Sequence, residues 1–232
     1  MTLPLILLPG MMCDARLFAP QVETLGAQRA VKVADISGLE TMHDLAAAVL
    51  ADAPPVFALG GLSMGGIVAM EMVRQAPERV AKLCLMDTNP LAETEQVAAR
   101  RAPQIEKAQA GQLDAVMRDE MKPNYLTDGP NRAAILDLCM EMALDLGAEA
   151  FVRQSKALRA RPDQSETLRD VTVPTLILCG REDKLCPVSR HTLMHALMAG
   201  SMLEIIEGAG HLPTLEQPET TTAALVRWLE RE

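Results

Sequence analysis

The sequence predicts an α/β fold, a mostly parallel sheet with helices on both faces and a helical insertion, and three features predict it. Short, almost wholly apolar runs at residues 3–8, 56–59, 80–86 and 173–179 fit strands that are covered on both faces. They alternate with stretches of helical length, a β-α-β order that implies right-handed crossovers and parallel pairing. Between residues 91 and 169 no convincing strand occurs, and helical periodicity with many charges takes over.

Taken in order, residues 3–8 form the first strand, ended by Pro9-Gly10. No basic segment precedes this run, so it reads as a strand and not as a signal peptide. Residues 16–25 lead into a short helix, and residues 31–35 alternate as a second strand closed by Gly38. Thr41 is placed to cap an alanine-rich helix that runs to residue 51, with Asp44 three positions on as a variant of the capping box. His43, in its first turn, reads as a solvated surface residue. Pro54-Pro55 stop the helix before the next strand, residues 56–59.

A helix then opens at residues 67–73 and ends near Pro77, and the strand at 80–86 carries Asp87 at its C-terminal end. The insertion holds candidate helices at 93–110, 113–121, 132–146 and 149–159, separated by Gly111, Pro123-Asn124, Asp128-Gly129-Pro130 and Gly147. The sheet resumes at 173–179, followed by a helix at 188–198, a strand at 201–206 and a final helix at 220–231. This divides the chain into a first core part at 1–90, the insertion at 91–169 and a second core part at 170–232.

The chain of 232 residues carries a formal net charge of −9, which leaves no basic surface for phosphate backbones and argues against nucleic-acid binding. Five cysteines, Cys13, Cys84, Cys139, Cys179 and Cys186, are odd in number and scattered. They suit free thiols in a reducing cytoplasm better than a disulfide framework, and no Cys/His cluster suggests a metal. Nothing reaches membrane-spanning length. With 15 methionines and only 2% aromatic residues, any pocket is expected to be lined by adaptable aliphatic side chains and to take an apolar acyl or alkyl group.

The motif that carries chemistry is Gly61-Leu62-Ser63-Met64-Gly65, set between the strand at 56–59 and the helix at 67–73. So sharp a reversal forces the turn residue into a strained conformation, and glycines two before and two after it remove the collisions. The strain lifts the Ser63 hydroxyl clear of the sheet. A glycine-rich turn with an incidental serine would look the same locally; the order of residues downstream decides.

Gly61 to Gly65 resembles the nucleophile elbow of the α/β-hydrolase superfamily, and the resemblance covers the layout of the whole chain. Gly180-Arg181-Glu182-Asp183 reproduces the Gly-x-x-Asp pattern in which that family commonly holds its triad acid. Glu207-Gly208-Ala209-Gly210-His211-Leu212-Pro213 resembles its catalytic-histidine loop. The resemblance implies an α/β-hydrolase fold with a triad of Ser63, Asp183 and His211. It also implies an oxyanion hole from the backbone N–H groups of Met11 and Met64, with Pro9-Gly10-Met11 standing where the family often has a histidine-glycine loop. By the same resemblance residues 91–169 form a cap that selects the substrate. Asp87 and Glu182 remain alternative acids, with Asp183 preferred.

Such a constellation makes serine nucleophilic, because the imidazole accepts its proton and the carboxylate fixes the imidazole tautomer. The leading reading is a serine hydrolase that cleaves a small-molecule carboxylic ester without cofactor or metal. The elbow does not separate this from C–C bond hydrolysis, lyase chemistry, lactone or thioester hydrolysis, or acyl transfer. A non-catalytic ligand-binding module on the same fold is the alternative from another class. His191 and His195, at i and i+4 on one helix, have no third ligand in sight. Arg100, Arg101, Arg153, Arg159 and Arg161 read as a solvated helix face, with a substrate carboxylate as the sharper alternative. The sequence leaves open whether the chain forms a homo-oligomer.

Overall fold

The computed structural model describes residues 2–231 and contains one six-stranded sheet. The strands are β1 (Leu5–Leu8), β2 (Val31–Val33), β3 (Phe57–Leu62), β4 (Val80–Met86), β5 (Thr175–Gly180) and β6 (Met202–Ile206). Their order across the sheet is β2-β1-β3-β4-β5-β6, and every adjacent pair is parallel. All strand C-termini therefore open on one edge, where ligands gather in folds of this kind.

Strands β1, β3 and β5 are buried at every position, which is why they read as unbroken apolar runs. Their residues alternate between two cores. Ile6, Leu59 and Ile177 face α2 (Met42–Ala51), α3 (Met64–Gln75) and α8 (Val188–Leu197). Leu7, Ala58 and Leu178 lie in the other core, with α1 (Ala19–Gly26), α9 (Pro213–Glu216) and α10 (Pro218–Glu230). Trp228 of α10 is fully buried in the second core, and its indole N–H donates to Pro174 O at 3.0 Å. The helix α2 is capped as expected, with Thr41 Oγ1 accepting from Asp44 N at 3.0 Å. His43 is largely solvated but also reaches the buried carboxylate of Glu71.

Two strand boundaries differ from expectation for backbone reasons. β5 starts at Thr175 because Pro174 has no N–H for the ladder; its carbonyl instead accepts from Leu83 N at 3.2 Å. β3 runs on through Gly60 and Gly61 to Leu62, since Gly60 pairs with Leu7 and Gly61 with Leu8.

Between β4 and β5 the chain is helical. It holds α4 (Glu95–Gln109), a single turn α5 (Leu113–Ala115) that continues as a π-helical stretch to Met121, α6 (Arg132–Arg159) and α7 (Ser165–Arg169). Gly147 interrupts α6 with φ 80° and ψ 174°, the break that its glycine marks in the sequence. Cys13, Cys84, Cys139 and Cys179 are buried free thiols, and Cys186 is a half-buried one. Among the described residues no helix is long and apolar enough to cross a membrane.

Candidate active site

Ser63 sits at the junction of β3 and α3 with φ 55° and ψ −115°, a conformation that a non-glycine residue holds only under constraint. The constraint comes from both sides. Its N–H donates to Met86 O at 2.9 Å, and its carbonyl accepts from Thr88 Oγ1 at 2.7 Å. A Cβ at Gly65 would overlap the Leu8 carbonyl, and one at Gly61 would overlap the backbone of Gly65. Only glycines let β1, the turn and the start of α3 approach this closely.

The three residues expected to act together do meet. His211 Nε2 lies 2.9 Å from Ser63 Oγ, and His211 Nδ1 lies 2.8 Å from Asp183 Oδ2. Asp183 is 4% exposed, and its other oxygen, Oδ1, accepts from Leu185 N at 2.8 Å and Cys186 N at 3.0 Å. Burial opposes ionisation of this carboxyl. The His211 ring and the two N–H groups outweigh burial and hold its pKa below the usual carboxylate range. Glu182 is exposed and points its backbone N–H to Ala209 O at 3.0 Å, so the adjacent Asp183 is the acid in contact with the imidazole.

Asp87, the other candidate acid, is fully buried beside Asp183 with φ 43°. Its Oδ1 accepts from Gly180 N at 2.9 Å, and Oδ2 has no hydrogen-bond partner among the described residues. Burial, then the neighbouring Asp183 charge, push its pKa well above the usual value, which favours the protonated acid beside Asp183. A carboxyl with a raised folded-state pKa stabilises the fold below its unfolded pKa near 4, and the contribution declines as pH rises through the folded value. Asp87→Asn is therefore expected to gain stability relative to wild type between pH 4.5 and 7.5. Urea unfolding of both proteins at the two pH values checks this; an unchanged difference would mean that Asp87 is ionised in the fold.

The loop after β1 turns at residues 10–13, closed by Cys13 N donating to Gly10 O at 3.1 Å, with Met12 at φ 56°. A side chain of the insertion holds this strained turn. Gln154 of α6 is fully buried, accepts from Met12 N at 2.9 Å and donates to Ile36 O at 3.2 Å. Neither the N–H of Met11 nor that of Met64 has an acceptor among the described residues. Gln154→Leu leaves Met12 N–H unpaired and relaxes the turn; turnover is expected to fall about tenfold, in kcat more than in KM. Steady-state kinetics on a soluble ester reads this out.

Residues without a sequence signal organise the histidine loop. Glu216 accepts from Gly210 N at 2.9 Å, Leu212 N at 3.1 Å and Thr127 N at 2.8 Å, tying that loop to the insertion. Tyr125 O accepts from His211 N at 2.7 Å. Gln154, Glu216 and Tyr125 stand in no motif of the sequence; each has at least one partner far away along the chain, at Met12, Thr127 and His211.

Ser63 and His211 line a cavity of about 430 Å³ between the sheet edge and the insertion, within the size range of small-molecule sites. Its wall corrects the reading of a solvated arginine face for Arg101 and Arg161, whereas Arg100 is exposed as that reading has it. The side chains of Arg101 and Arg161 are only 12% and 10% exposed. Both bind Glu93, itself 1% exposed, and with it they line the cavity. These two turn inward because this buried acid offers both guanidiniums a partner. Arg153 caps Ser37 O at 2.9 Å, and Arg159 is exposed. Methionine is also less prominent than expected, since Met11 and Met121 alone among the methionines line the cavity.

Two other groups near the site have structural partners. His191 is buried, its Nε2 accepts from Thr88 N at 3.1 Å, and burial lowers its pKa to about 4. The ring is thus a neutral acceptor that fixes the turn after β4, while His195 pairs with Ser201 Oγ at 2.8 Å. Cys186 Sγ, Asp183 and His211 place ligand atoms within 4.8 Å of one another. Burial, followed by the charges of Asp183 and Asp87, pushes the Cys186 thiol well up, and a protonated thiol is a poor metal ligand.

Known proteins resemble this chain in sequence and in fold. A family model described as "Alpha/beta hydrolase family" matches residues 5–225. A pimeloyl-[acyl-carrier protein] methyl ester esterase of Aliivibrio salmonicida is 26% identical over 98% of this chain and 92% of its own. Among solved structures, a thermophilic esterase from Thermogutta terrifontis superposes with a TM-score of 0.89 at 27% identity, over 98% of this chain and 89% of that one. The enol-lactonase of Burkholderia xenovorans superposes with a TM-score of 0.90 at 20% identity, over 100% and 92%, a likeness of fold.

Proposed function

Because the chain belongs to the alpha/beta hydrolase family, we propose that it is a serine hydrolase that cleaves a carboxylic ester through an acyl-enzyme. The observation that carries this reading is the continuous relay at the cavity floor, Ser63 Oγ to His211 Nε2 at 2.9 Å and His211 Nδ1 to Asp183 Oδ2 at 2.8 Å. The esterase relative from Aliivibrio salmonicida and the esterase structure from Thermogutta terrifontis support it.

In the first half-reaction Ser63 Oγ attacks the ester carbonyl while His211 Nε2 takes its proton. The negative oxygen of the tetrahedral adduct accepts from the N–H groups of Met11 and Met64, which have no other acceptor among the described residues. The C–O bond to the alcohol then breaks, and His211 returns the proton to the departing alkoxide. In the second half a water gives a proton to His211 and attacks the acyl carbon. The serine ester bond breaks, Ser63 recovers its proton and the carboxylic acid leaves. Asp183, ionised throughout, holds the Nδ1–H tautomer and stabilises the imidazolium. Residues 91–169 act as the cap that shapes the substrate side of the cavity. No cofactor takes part in any step.

A fluorophosphonate probe tests the reading directly. It is expected to label the folded protein stoichiometrically at Ser63, as located by peptide mass spectrometry, and to abolish hydrolysis of a short-chain methyl ester in step with labelling. Well-folded protein that neither labels nor hydrolyses would instead be a ligand-binding module.

A further inference from the structure

The cavity beside Ser63 is charged in the opposite sense to the rest of the molecule. The chain as a whole carries −9, with 31 acidic side chains for 22 lysines and arginines. The cavity is lined by Arg100, Arg101, Arg161 and Arg190 and, among acids, by Glu93 alone. Four guanidiniums, of which Arg101 and Arg161 are nearly out of water, Arg190 is half-buried and Arg100 is exposed, stand against one carboxylate, a formal +3 around a cavity of about 430 Å³; low-dielectric walls concentrate such a field.

The hydrogen bonds show how much of that charge is spent. Glu93 takes Arg101 side-on, through Nε and Nη2 at 2.6 Å each, and also takes Arg161 Nη1 at 2.8 Å. Arg161 Nε donates to Leu91 O at 3.0 Å. Arg101 Nη1 meets only the sulfur of Met11 at 3.9 Å, and Arg161 Nη2 has no acceptor among the described residues. One carboxylate thus serves two guanidiniums that are almost out of water, and one positive charge is left uncompensated. Arg100 and Arg190 form no side-chain hydrogen bond or ion pair among the described residues, although acids outnumber bases in the chain.

A structural clamp between the insertion and the segment after β4 needs Glu93 and one arginine; it does not need the others. A buried excess of planar donors is what a carboxylate or similar anion requires. The contact to Met11 places the spare donor of Arg101 beside the loop after β1, which lines the same cavity as Ser63. An anion held there and an ester carbonyl at Ser63 would share one cavity of about 430 Å³.

We propose that the substrate of this site is a short-chain ester bearing a free carboxylate, a dicarboxylic acid monoester, whose carboxylate the cavity arginines receive. The inference rests on the serine hydrolase reading above. Hydrolysis then releases a dicarboxylate and an alcohol.

Monomethyl adipate and methyl hexanoate, equal in chain length, separate the two readings when hydrolysis is followed by acid release. The monoester is expected to be preferred at least tenfold in kcat/KM, mostly through KM, and added salt to erode that preference. In the double variant Arg100→Gln, Arg190→Gln, and separately in Arg101→Gln, the ratio of the two rates is expected to fall at least fivefold. Because both esters are measured on the same protein, a general loss of fold cancels from the ratio. Methyl hexanoate cleaved as well as or better than monomethyl adipate by the wild type, or a ratio unmoved in the variants, would overturn the proposal while leaving the esterase reading intact. Faster cleavage of methyl 5-phosphonopentanoate than of monomethyl adipate would overturn it in favour of a phosphate-bearing substrate. Cleavage of none of these, with no fluorophosphonate labelling, would instead mark failure of the hydrolase reading itself.

Discussion

Ser63→Ala lowers kcat for a short-chain ester by at least about a thousandfold, with little change in KM and an unchanged unfolding midpoint. The size follows from what the hydroxyl does: without it neither the acyl-enzyme nor the proton transfer to His211 exists, and only the oxyanion donors and binding remain to accelerate attack by water. The fold is spared because the hydroxyl has one hydrogen-bond partner among the described residues, His211 Nε2 at 2.9 Å, whereas the turn is held by a backbone bond to Met86 O and by the Thr88 hydroxyl. Steady-state kinetics with a denaturant melt on the same preparation checks both halves. Retention of wild-type turnover would remove Ser63 from the mechanism, and with it the proposal.

The largest expected effect on stability comes from a residue that touches no substrate. Gly180 ends β5, its N–H donates to Asp87 Oδ1 at 2.9 Å, and a Cβ there would overlap the carbonyl oxygens of Gly210 and Ala209. Those atoms belong to the loop that carries His211, and neighbouring backbone bonds, Arg181 N to Ile206 O at 2.9 Å and Glu182 N to Ala209 O at 3.0 Å, bind the two loops together. Gly180→Val therefore forces rigid backbone apart with no flexible side chain to yield. A loss of about 3 kcal/mol or more is expected, beyond ordinary overpacking, and turnover should fall further as the histidine moves from the serine. Urea denaturation and ester kinetics measure the two; a variant within 1 kcal/mol of wild type would show that the loops tolerate separation.

Much of this was legible before any coordinate, and for identifiable reasons. The elbow, the acid loop and the histidine loop each stand on a glycine pattern that answers a local backbone demand, and their order along the chain, together with the family resemblance, pointed to Ser63, Asp183 and His211. Gly147 similarly announced the break in α6. Asp87 was visible as a residue at a strand end, yet its protonation depends on burial and on Asp183, neither of which a linear pattern encodes. Gln154, Glu216 and Tyr125 left no signal because each acts on a main-chain group far away in sequence. Two of the arginines misled in the other direction: Arg101 and Arg161 turn inward because Glu93 lies buried between them, whereas Arg100 and Arg159 are exposed as their spacing suggests.

By itself, then, the order of residues determined the alternation of strands and helices, the parallel sheet and the three loops that converge at Ser63, because buried strands, tight turns and caps are set by neighbours a few positions apart. Only the tertiary structure decided the character of the cavity and the support of the loops around it. Charge compensation, desolvation and long-range hydrogen bonding depend on which atoms share a small volume, and distance along a chain carries little information about that.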